Sequence, residues 1–330
     1  MTNTAFKGII IYDSFIIPKG YEMKIYSSIN YTSKTPSVVA LGCFDGVHLG
    51  HKEVIKTARS VSDSLGVPCA VWTFDEPPRN YFLKNAVPLI TDKDQKTSLI
   101  SALGVDKFIS VPFTKETARI SAEEFFTEIL IKRLKAIHIV CGFNYSFGEG
   151  GKGNVEMLKA LCEKMKIGLT VLDPISVGDI TVSSSAIRDA LSSGQVEKAN
   201  ALLGRPFSLK TVVISGQHLA RKLGFPTVNQ SFPDRMLIPS YGVYVTRVSI
   251  EGRSKKYYGI TNVGIRPTVG GNAVFAETNI FNFSGDLYGR WVKVEYLHFI
   301  REERKFNGIE ALASQIDKDI AEAKKYVENM

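Results

Sequence analysis

"ALGCFDGVHLGHKEVI", residues 40–55, joins a run of small apolar residues to a mixed polar–apolar run through a glycine-rich turn. The apolar side begins earlier, in "SVVALG" (37–42), which reads as a buried strand. On the other side Val54, Ala58, Val61 and Leu65 recur at spacings of four, three and four, which gives a helix one apolar face. Gly66 fits the left-handed residue that ends such a helix. The unit is therefore strand, glycine-rich turn, helix. In an open α/β sheet that turn lies outside the carboxyl end of the strand, where such sheets build their sites.

His48 and His51 stand in this turn, three apart, where the helix opens. A helix N-terminus presents unpaired N–H groups and the positive end of its dipole, so it attracts phosphate. Gly42, Gly46 and Gly50 would let a bulky anion come close to the backbone, and imidazoles can donate to phosphate oxygens as charge develops. Two satisfied surface histidines are the competing reading, because short motifs often misfire. Zinc is the weakest, since no third ligand with metal-like spacing is visible.

Outward from this stretch the alternation continues. "PCAVWTF" (68–74), "VDKFISVPF" (105–113) and "AIHIVCG" (136–142) read as strands, and "DKDQKTSLISALG" (92–104) and "SAEEFFTEILIKRL" (121–134) as helices. A second glycine-rich turn, "GEGGKGN" (148–154), leads into another helix. This order predicts a doubly wound parallel sheet with helices on both faces. After 186–205 the texture changes to short, alternating, β-rich segments separated by glycine turns, which predicts a small antiparallel barrel. A terminal helix is expected near Asn307, where Asn307 and Glu310 match a capping box and Ile309, Leu312, Ile316 and Ile320 form a stripe. The expected division is an α/β domain over 1–185, a helical linker over 186–204 and a barrel domain over 205–330.

With 330 residues, 44% hydrophobic and 22% charged, the chain has the balance of a soluble globular protein, which excludes disorder and coiled coil. The net charge of +8 favours anionic partners. The charges are dispersed and no RNA-binding aromatic motif is present, so no nucleic-acid partner is expected. Cys43, Cys69, Cys141 and Cys162 form no C-x-x-C pair and read as free thiols of a reducing compartment. With no signal-peptide pattern and no membrane-length apolar run, a cytoplasmic protein without a membrane partner is expected. Oligomeric state is left open.

Several stretches carry a family resemblance. "GCFDGVHLGH" resembles the H-x-G-H signature of nucleotidyltransferases. "VCGFNYSFGEGGKGN" (140–154) and "VSSSAIRDAL" (182–191) resemble the adenylyltransferase module of prokaryotic FAD synthetases. "LGFPTVN" (223–229), "VGIRPTVGG" (263–271), "ETNIFNFSGDLYG" (277–289) and "FIREERKF" (299–306) resemble the riboflavin kinase module that follows it. The matches run in the family's order along nearly the whole chain.

The resemblance implies that riboflavin is phosphorylated to FMN and FMN adenylylated to FAD, with ATP and Mg2+. It implies that His48, His51, Gly42, Phe44, Gly46 and Gly50 hold ATP phosphates, and that Ser184, Ser185 and Arg188 match the family's S-S-T-x-x-R element. Phe74, Asp75 and Asn144 fall on its flavin-side positions. In the kinase half Glu277 matches the catalytic base, Thr227 and Asn229 the holders of magnesium and ATP phosphates, and Arg301 a flavin-binding segment. Simpler readings stand beside these: a helix N-cap for Ser183–Ser185, turn chemistry after Pro226 for Thr227 and Asn229, and a solvated strand acid for Glu277. Two departures stand out. "FDEPPR" (74–79) replaces F-D-P-H-P-R, and Ala220–Arg221 stands where a Gly-Arg pair is usual. The alternative to a bifunctional enzyme is a monofunctional FAD synthetase whose barrel only binds flavin or is inactive.

Overall fold

The structure is a computed structural model that describes residues 22–83, 86–214, 227–268 and 271–330. The chain forms two compact units. One takes in the chain through Val87 and then Thr91–Ile175; the other takes in Pro88–Ile90 and Ser176–Met330.

The first unit is built on six strands, β1 (Lys24–Tyr26), β2 (Ser37–Leu41), β3 (Cys69–Phe74), β4 (Lys107–Val111), β5 (Ala136–Gly142) and β6 (Gly168–Leu172). They form one parallel sheet in the order β1-β4-β3-β2-β5-β6. Every residue of β2 is buried, as expected of a central strand covered on both faces. Alternate side chains feed two separate cores. Val39, Leu41, Ala70 and Trp72 pack with Phe126, Ile129, Leu130 and Leu158 on one face. Val38, Ala40 and Val71 pack with Ile55, Ala58 and Ile100 on the other. Each fully buried side chain of this size contributes about 1.5–3 kcal/mol of transfer free energy.

Between β4 and β5 the predicted helix forms in an unusual way: one α-turn over Ala122–Glu124, then a π-helical stretch over Phe125–Arg133 that buries Phe125, Phe126, Ile129 and Leu130. The chain moves outward from β2 through β3 to β4 on one side, then crosses to β5 and β6 on the other. The switch point is therefore the boundary between β2 and β5, where open α/β sheets leave a crevice.

In the second unit a hairpin, β7 (Ser176–Val177) and β8 (Ile180–Thr181), precedes the helices Ser184–Ser192 and Val196–Leu203. Asn200 fixes the second helix to the sheet, donating to the Tyr296 carbonyl (2.8 Å) and accepting from the Phe207 amide (2.7 Å). The sheet comprises β9 (Phe207–Val212), β10 (Thr227–Ser231), β11 (Gly242–Ile250), β12 (Lys256–Thr268), β13 (Gly271–Ile280) and β14 (Trp291–Glu302), in the antiparallel order β10-β13-β12-β11-β14-β9. Its edges meet where the Ile214 amide donates to the Asn229 carbonyl (2.9 Å), so the sheet curls into a barrel. The Thr246, Thr261 and Thr278 hydroxyls form a buried chain across three strands, at 2.9 and 2.8 Å, which satisfies each of them without water.

The terminal helix, Ile309–Glu328, lays Ile316, Ile320 and Ala323 on Val243, Val245 and Ile260. Its start differs from the expectation. Gly308, at φ 103°, is the N-cap and no side chain caps the helix. Glu310 is then the second helical residue rather than the third, so the Asn307–Glu310 box does not form. Leu65 and Ile309, which periodicity places on apolar stripes, are exposed because each sits in a terminal turn of its helix.

Candidate active sites

The loop after β2 is held in a costly conformation. Phe44 (φ 51°) and Val47 (φ 39°) are non-glycine residues with left-handed backbone, and Gly46 (φ 81°) lies between them. Each such residue costs of order 1–3 kcal/mol and persists only where its surroundings fix it. Here Phe44 and Val47 are fully buried, and the Gly46 amide donates to Thr91 Oγ1 (3.2 Å) while the Thr91 amide donates to Asp45 Oδ1 (3.3 Å).

The loop delivers His48 as the N-cap of the helix Leu49–Leu65, its Nδ1 accepting from the His51 amide (3.3 Å). That acceptor role leaves the proton of the neutral ring on Nε2. The two imidazoles stack, with centroids 3.5 Å apart and planes at 16°, and the Phe44 ring meets His51 edge-on at 5.2 Å. His48 is buried rather than on the surface, while its Nδ1 is satisfied as the helix N-cap.

Two of the glycines lie close against aromatic side chains, Gly42 the more tightly. A Cβ on Gly42 would lie 2.9 Å from Cζ of Phe44, and one on Gly50 would lie 3.3 Å from Cε1 of His48. Gly42→Ala is therefore expected to push Phe44 out of its seat and destabilise the first unit by about 1–3 kcal/mol, the usual cost of overpacking. A shift in the denaturant midpoint measures it; an unchanged midpoint would show that the Phe44 ring moves freely.

Asn144 follows β5, the strand across the switch point from β2, and is exposed at the same carboxyl edge of the sheet. On the other side of β2, Phe74 ends β3 and Asp75 follows it. The Asp75 amide donates to the Val111 carbonyl (2.9 Å), and Asp75 Oδ1 accepts from the Glu76 amide (2.8 Å). The sheet thus gathers the histidine loop, Asn144, Phe74 and Asp75 along one edge.

Two features at this edge escape sequence reading. Phe74 begins an aromatic cluster that continues through Phe113 to Tyr81 and Phe82, with ring centroids 4.8, 5.5 and 5.8 Å from Phe113. Phe82 is 66% exposed, an unusual amount for a ring in a packed cluster. The other feature is Lys96, buried beside the exits of β2 and β3, with Nζ donating to the carbonyls of Cys43 (2.9 Å) and Phe74 (3.0 Å). Burial pulls its pKa down, opposed by Cys43, Asp45 and Asp75. Cys69, Cys141 and Cys162 are buried free thiols whose pKa values burial pushes up to about 12, 12 and 11, so none is a ready nucleophile.

Ser183–Ser185 and Arg188 lie in the second unit. Ser183 is the N-cap of the helix Ser184–Ser192, its Oγ accepting from the Ala186 amide (3.2 Å), so the capping reading holds for that serine. Ser184 and Ser185 open the helix, with Ser185 exposed. Arg188 is buried and its Nε donates to the Pro88 carbonyl (2.8 Å).

The barrel brings together residues far apart in sequence. Asn229 on β10 faces Glu277 on β13 in direct register. Arg266 of β12 reaches both: Nη1 donates to Asn229 Oδ1 (3.3 Å) and Nη2 is ion-paired with Glu277. Glu277 has a side chain only 12% exposed, which departs from the solvated strand acid. Burial lowers the pKa of Arg266, opposed by Glu303. Sequence reading missed Arg266 as a site residue. Thr227 lies two residues before Asn229 and so shares its face of β10. The Ala220–Arg221 loop lies outside the described residues.

Arg301 has a carboxylate partner of its own. Its guanidinium forks onto the buried Asp319 (3.0, 3.1 and 2.7 Å), tying β14 to the terminal helix.

Among the described residues no cluster of three His, Cys, Asp or Glu could hold a metal ion. Thr227 and Asn229 offer neutral oxygens beside one carboxylate. That incomplete set fits magnesium carried by nucleotide phosphates and waters, the usual manner for this ion.

Comparison with known proteins finds two consecutive domains in the chain. A family model described as FAD synthetase matches residues 30–186, and one described as riboflavin kinase matches residues 203–327. A bifunctional riboflavin kinase/FMN adenylyltransferase of Bacillus subtilis (strain 168) is 38% identical over 299 residues, covering 89% of this chain and 93% of the relative. The protein so named from Escherichia coli (strain K12) is 30% identical over 308 residues, covering 92% and 98%. A crystal structure described as a macrolide-efflux protein from Streptococcus pneumoniae matches with a TM-score of 0.83 at 31% identity, over 92% of this chain and 99% of that one. Among the described residues of the present chain no helix is long and apolar enough to cross a membrane. Two consecutive domain matches and relatives similar over almost their full length leave one assignment: the chain belongs to the bifunctional riboflavin kinase/FMN adenylyltransferase family.

Proposed function

We propose that this chain makes FAD from riboflavin in two ATP-dependent steps, with FMN as the intermediate. The observation that carries the reading is the presence in one chain of two phosphate-handling constellations, the capped histidine loop at the sheet's switch point and the Asn229–Glu277–Arg266 cluster of the barrel. We assign adenylyl transfer to residues 1–185, phosphorylation to residues 205–330, and a connecting role to 186–204, which also supplies Arg188.

In the adenylyl step a phosphate oxygen of FMN attacks the α-phosphorus of ATP. That bond forms as the bond to the bridging oxygen breaks, and pyrophosphate leaves. No protein nucleophile is needed, so the residues position and stabilise charge. His48 and His51 donate from the helix N-terminus to the phosphates, Asn144 holds the substrate phosphate, and Arg188 forks onto the triphosphate. The exposed rings of Tyr81 and Phe82, with Phe74 and Phe113, form a wall suited to a flat heteroaromatic ring.

In the kinase step the 5′-hydroxyl of riboflavin attacks the γ-phosphorus of ATP; that bond forms as the bond to the β–γ bridging oxygen breaks, and ADP leaves. Glu277 takes the hydroxyl proton, and Thr227 and Asn229 supply oxygens to magnesium, which neutralises phosphate charge when bound. Both steps draw on cytoplasmic ATP, and the four free thiols suit a reducing compartment.

Product analysis with riboflavin, ATP and magnesium, aerobically and under reducing conditions, tests the reading. FMN should appear first and FAD after it. FAD from supplied FMN, without any FMN from riboflavin, would leave a monofunctional synthetase. Arg188→Lys is expected to lower kcat/KM for FAD formation by about tenfold to a hundredfold, because an ammonium cannot replace a forked, charge-assisted contact. Steady-state kinetics at varied ATP measures this, and a change below threefold would remove Arg188 from the triphosphate.

A further inference from the structure

We infer that Lys96 is a positioning residue for adenylyl transfer: its ammonium clamps the Cys43 and Phe74 carbonyls and so fixes the two strand-exit turns that carry the phosphate side and the flavin side of the site. The inference rests on reading the histidine loop as the adenylyl site.

The sheet itself shows why a clamp is needed. Strands β2 and β3 pair in register through Leu41↔Trp72. Continuing that register would set residue 43 opposite residue 74, but the β2–β3 ladder has ended before that level. Lys96 Nζ takes over at this level, donating to the Cys43 carbonyl (2.9 Å), the Phe74 carbonyl (3.0 Å) and Thr73 Oγ1 (3.4 Å). Thr73 Oγ1 lies within donating distance of the same two carbonyls, at 3.1 and 3.0 Å, which share its single proton. An ammonium has three donors in a tetrahedral arrangement, and three convergent acceptors use all of them.

What the clamp holds is the chemistry. Cys43 immediately precedes Phe44, where the backbone enters the left-handed region that aims His48 and His51. Phe74 immediately precedes Asp75 and opens the aromatic cluster. Two substrates must meet with their reacting atoms about 3–3.5 Å apart, so the spacing of these two turns sets the attack geometry.

Packing alone does not call for a lysine here. The side chain is 6% exposed and an apolar one of similar length would fill the space without desolvating a charge. Asp45 and Asp75 act on the ammonium electrostatically, while its hydrogen bonds go to the two turns.

Lys96→Met tests the inference. It keeps the length and removes the charge, and the single Thr73 hydroxyl proton stays available to the two carbonyls. Turnover of FMN and ATP to FAD should fall about a hundredfold, the scale of a 1 Å misplacement. The KM values for ATP and FMN should change less than about threefold, since kcat carries a loss of alignment. Melting should stay within a few degrees of wild type, and riboflavin phosphorylation by the same chain should be unchanged. Retained turnover, or a loss that only tracks a lowered melting temperature, would overturn the inference.

Thr73→Val provides an independent arm should the methionine variant not fold. It is isosteric, removes the shared hydroxyl and should lower kcat about tenfold at constant KM, the scale of one hydrogen bond. Wild-type kcat in that variant would also overturn the clamp. His51→Ala separates the two levels of the argument. If it leaves FAD formation intact, the reading of the loop fails. If it cripples FAD formation while Lys96→Met does not, only the clamp fails.

Discussion

Replacing Glu277 with glutamine is expected to lower phosphorylation of riboflavin by about a hundredfold to ten-thousandfold, the usual range for a lost general base. Glutamine keeps the shape and an acceptor oxygen, so it can still face Asn229 across the β10–β13 ladder. It cannot accept the hydroxyl proton, and it cannot neutralise Arg266, which now pairs with the carboxylate. The primary alcohol of riboflavin is a weak nucleophile, so the loss should fall on kcat with little change in riboflavin affinity. FAD formation from supplied FMN should continue near the wild-type rate, because the histidine loop lies in the other unit. Parallel assays on one preparation, one started with riboflavin and one with FMN, make the comparison internal. Equal losses in both would mean that Glu277 supports the fold rather than the proton transfer. Intact FMN formation would move the base elsewhere, with Glu303 the first carboxylate to examine because it acts on Arg266.

The local rules made much of this molecule readable. The 37–66 unit is legible because a continuous apolar run, a glycine turn and a 3.6-residue stripe are local signals, and each forms as expected. The parallel sheet follows from the repetition of that unit. The histidine loop's position follows from the sheet.

What stayed hidden depends on long-range register. Arg266 and Glu277 read as a strand cation and a strand acid until the curl of the barrel brings them together with Asn229. Lys96 sits in a helix of low apolar content, where a lysine normally faces solvent. Only its fourth-neighbour relation to the buried Ile100 hints at an inward face. The terminal helix shows a local rule failing by one residue. Gly308 adopts a backbone that side chains rarely allow, takes the N-cap position, and leaves Asn307 outside the helix. Arg301 shows a partner invisible in sequence, since its ion pair with the buried Asp319 joins β14 to a helix eighteen residues on.

His51→Ala is expected to reduce FAD formation about a hundredfold or more while leaving the first unit folded. The choice between the two histidines matters. His48 also caps the helix Leu49–Leu65, so its removal would cost about 0.5–2 kcal/mol of stability and confuse the result. His51 contributes its backbone amide to that cap, and alanine retains the amide. Its imidazole stacks on His48 and meets the edge of Phe44, so the ring is aimed rather than free to rotate. A preorganised donor pays no reorganisation as negative charge gathers on the phosphates, which is why one lost donor typically costs about 3 kcal/mol, close to a hundredfold in rate. The loss should appear in kcat, with KM for ATP raised less, if the ring bonds the transition state more strongly than bound ATP. Phosphorylation of riboflavin should be untouched, and circular dichroism should show the same helix content. Near-normal FAD synthesis would return the stacked histidines to a structural role and shift the phosphate grip to Arg188 and the helix amides.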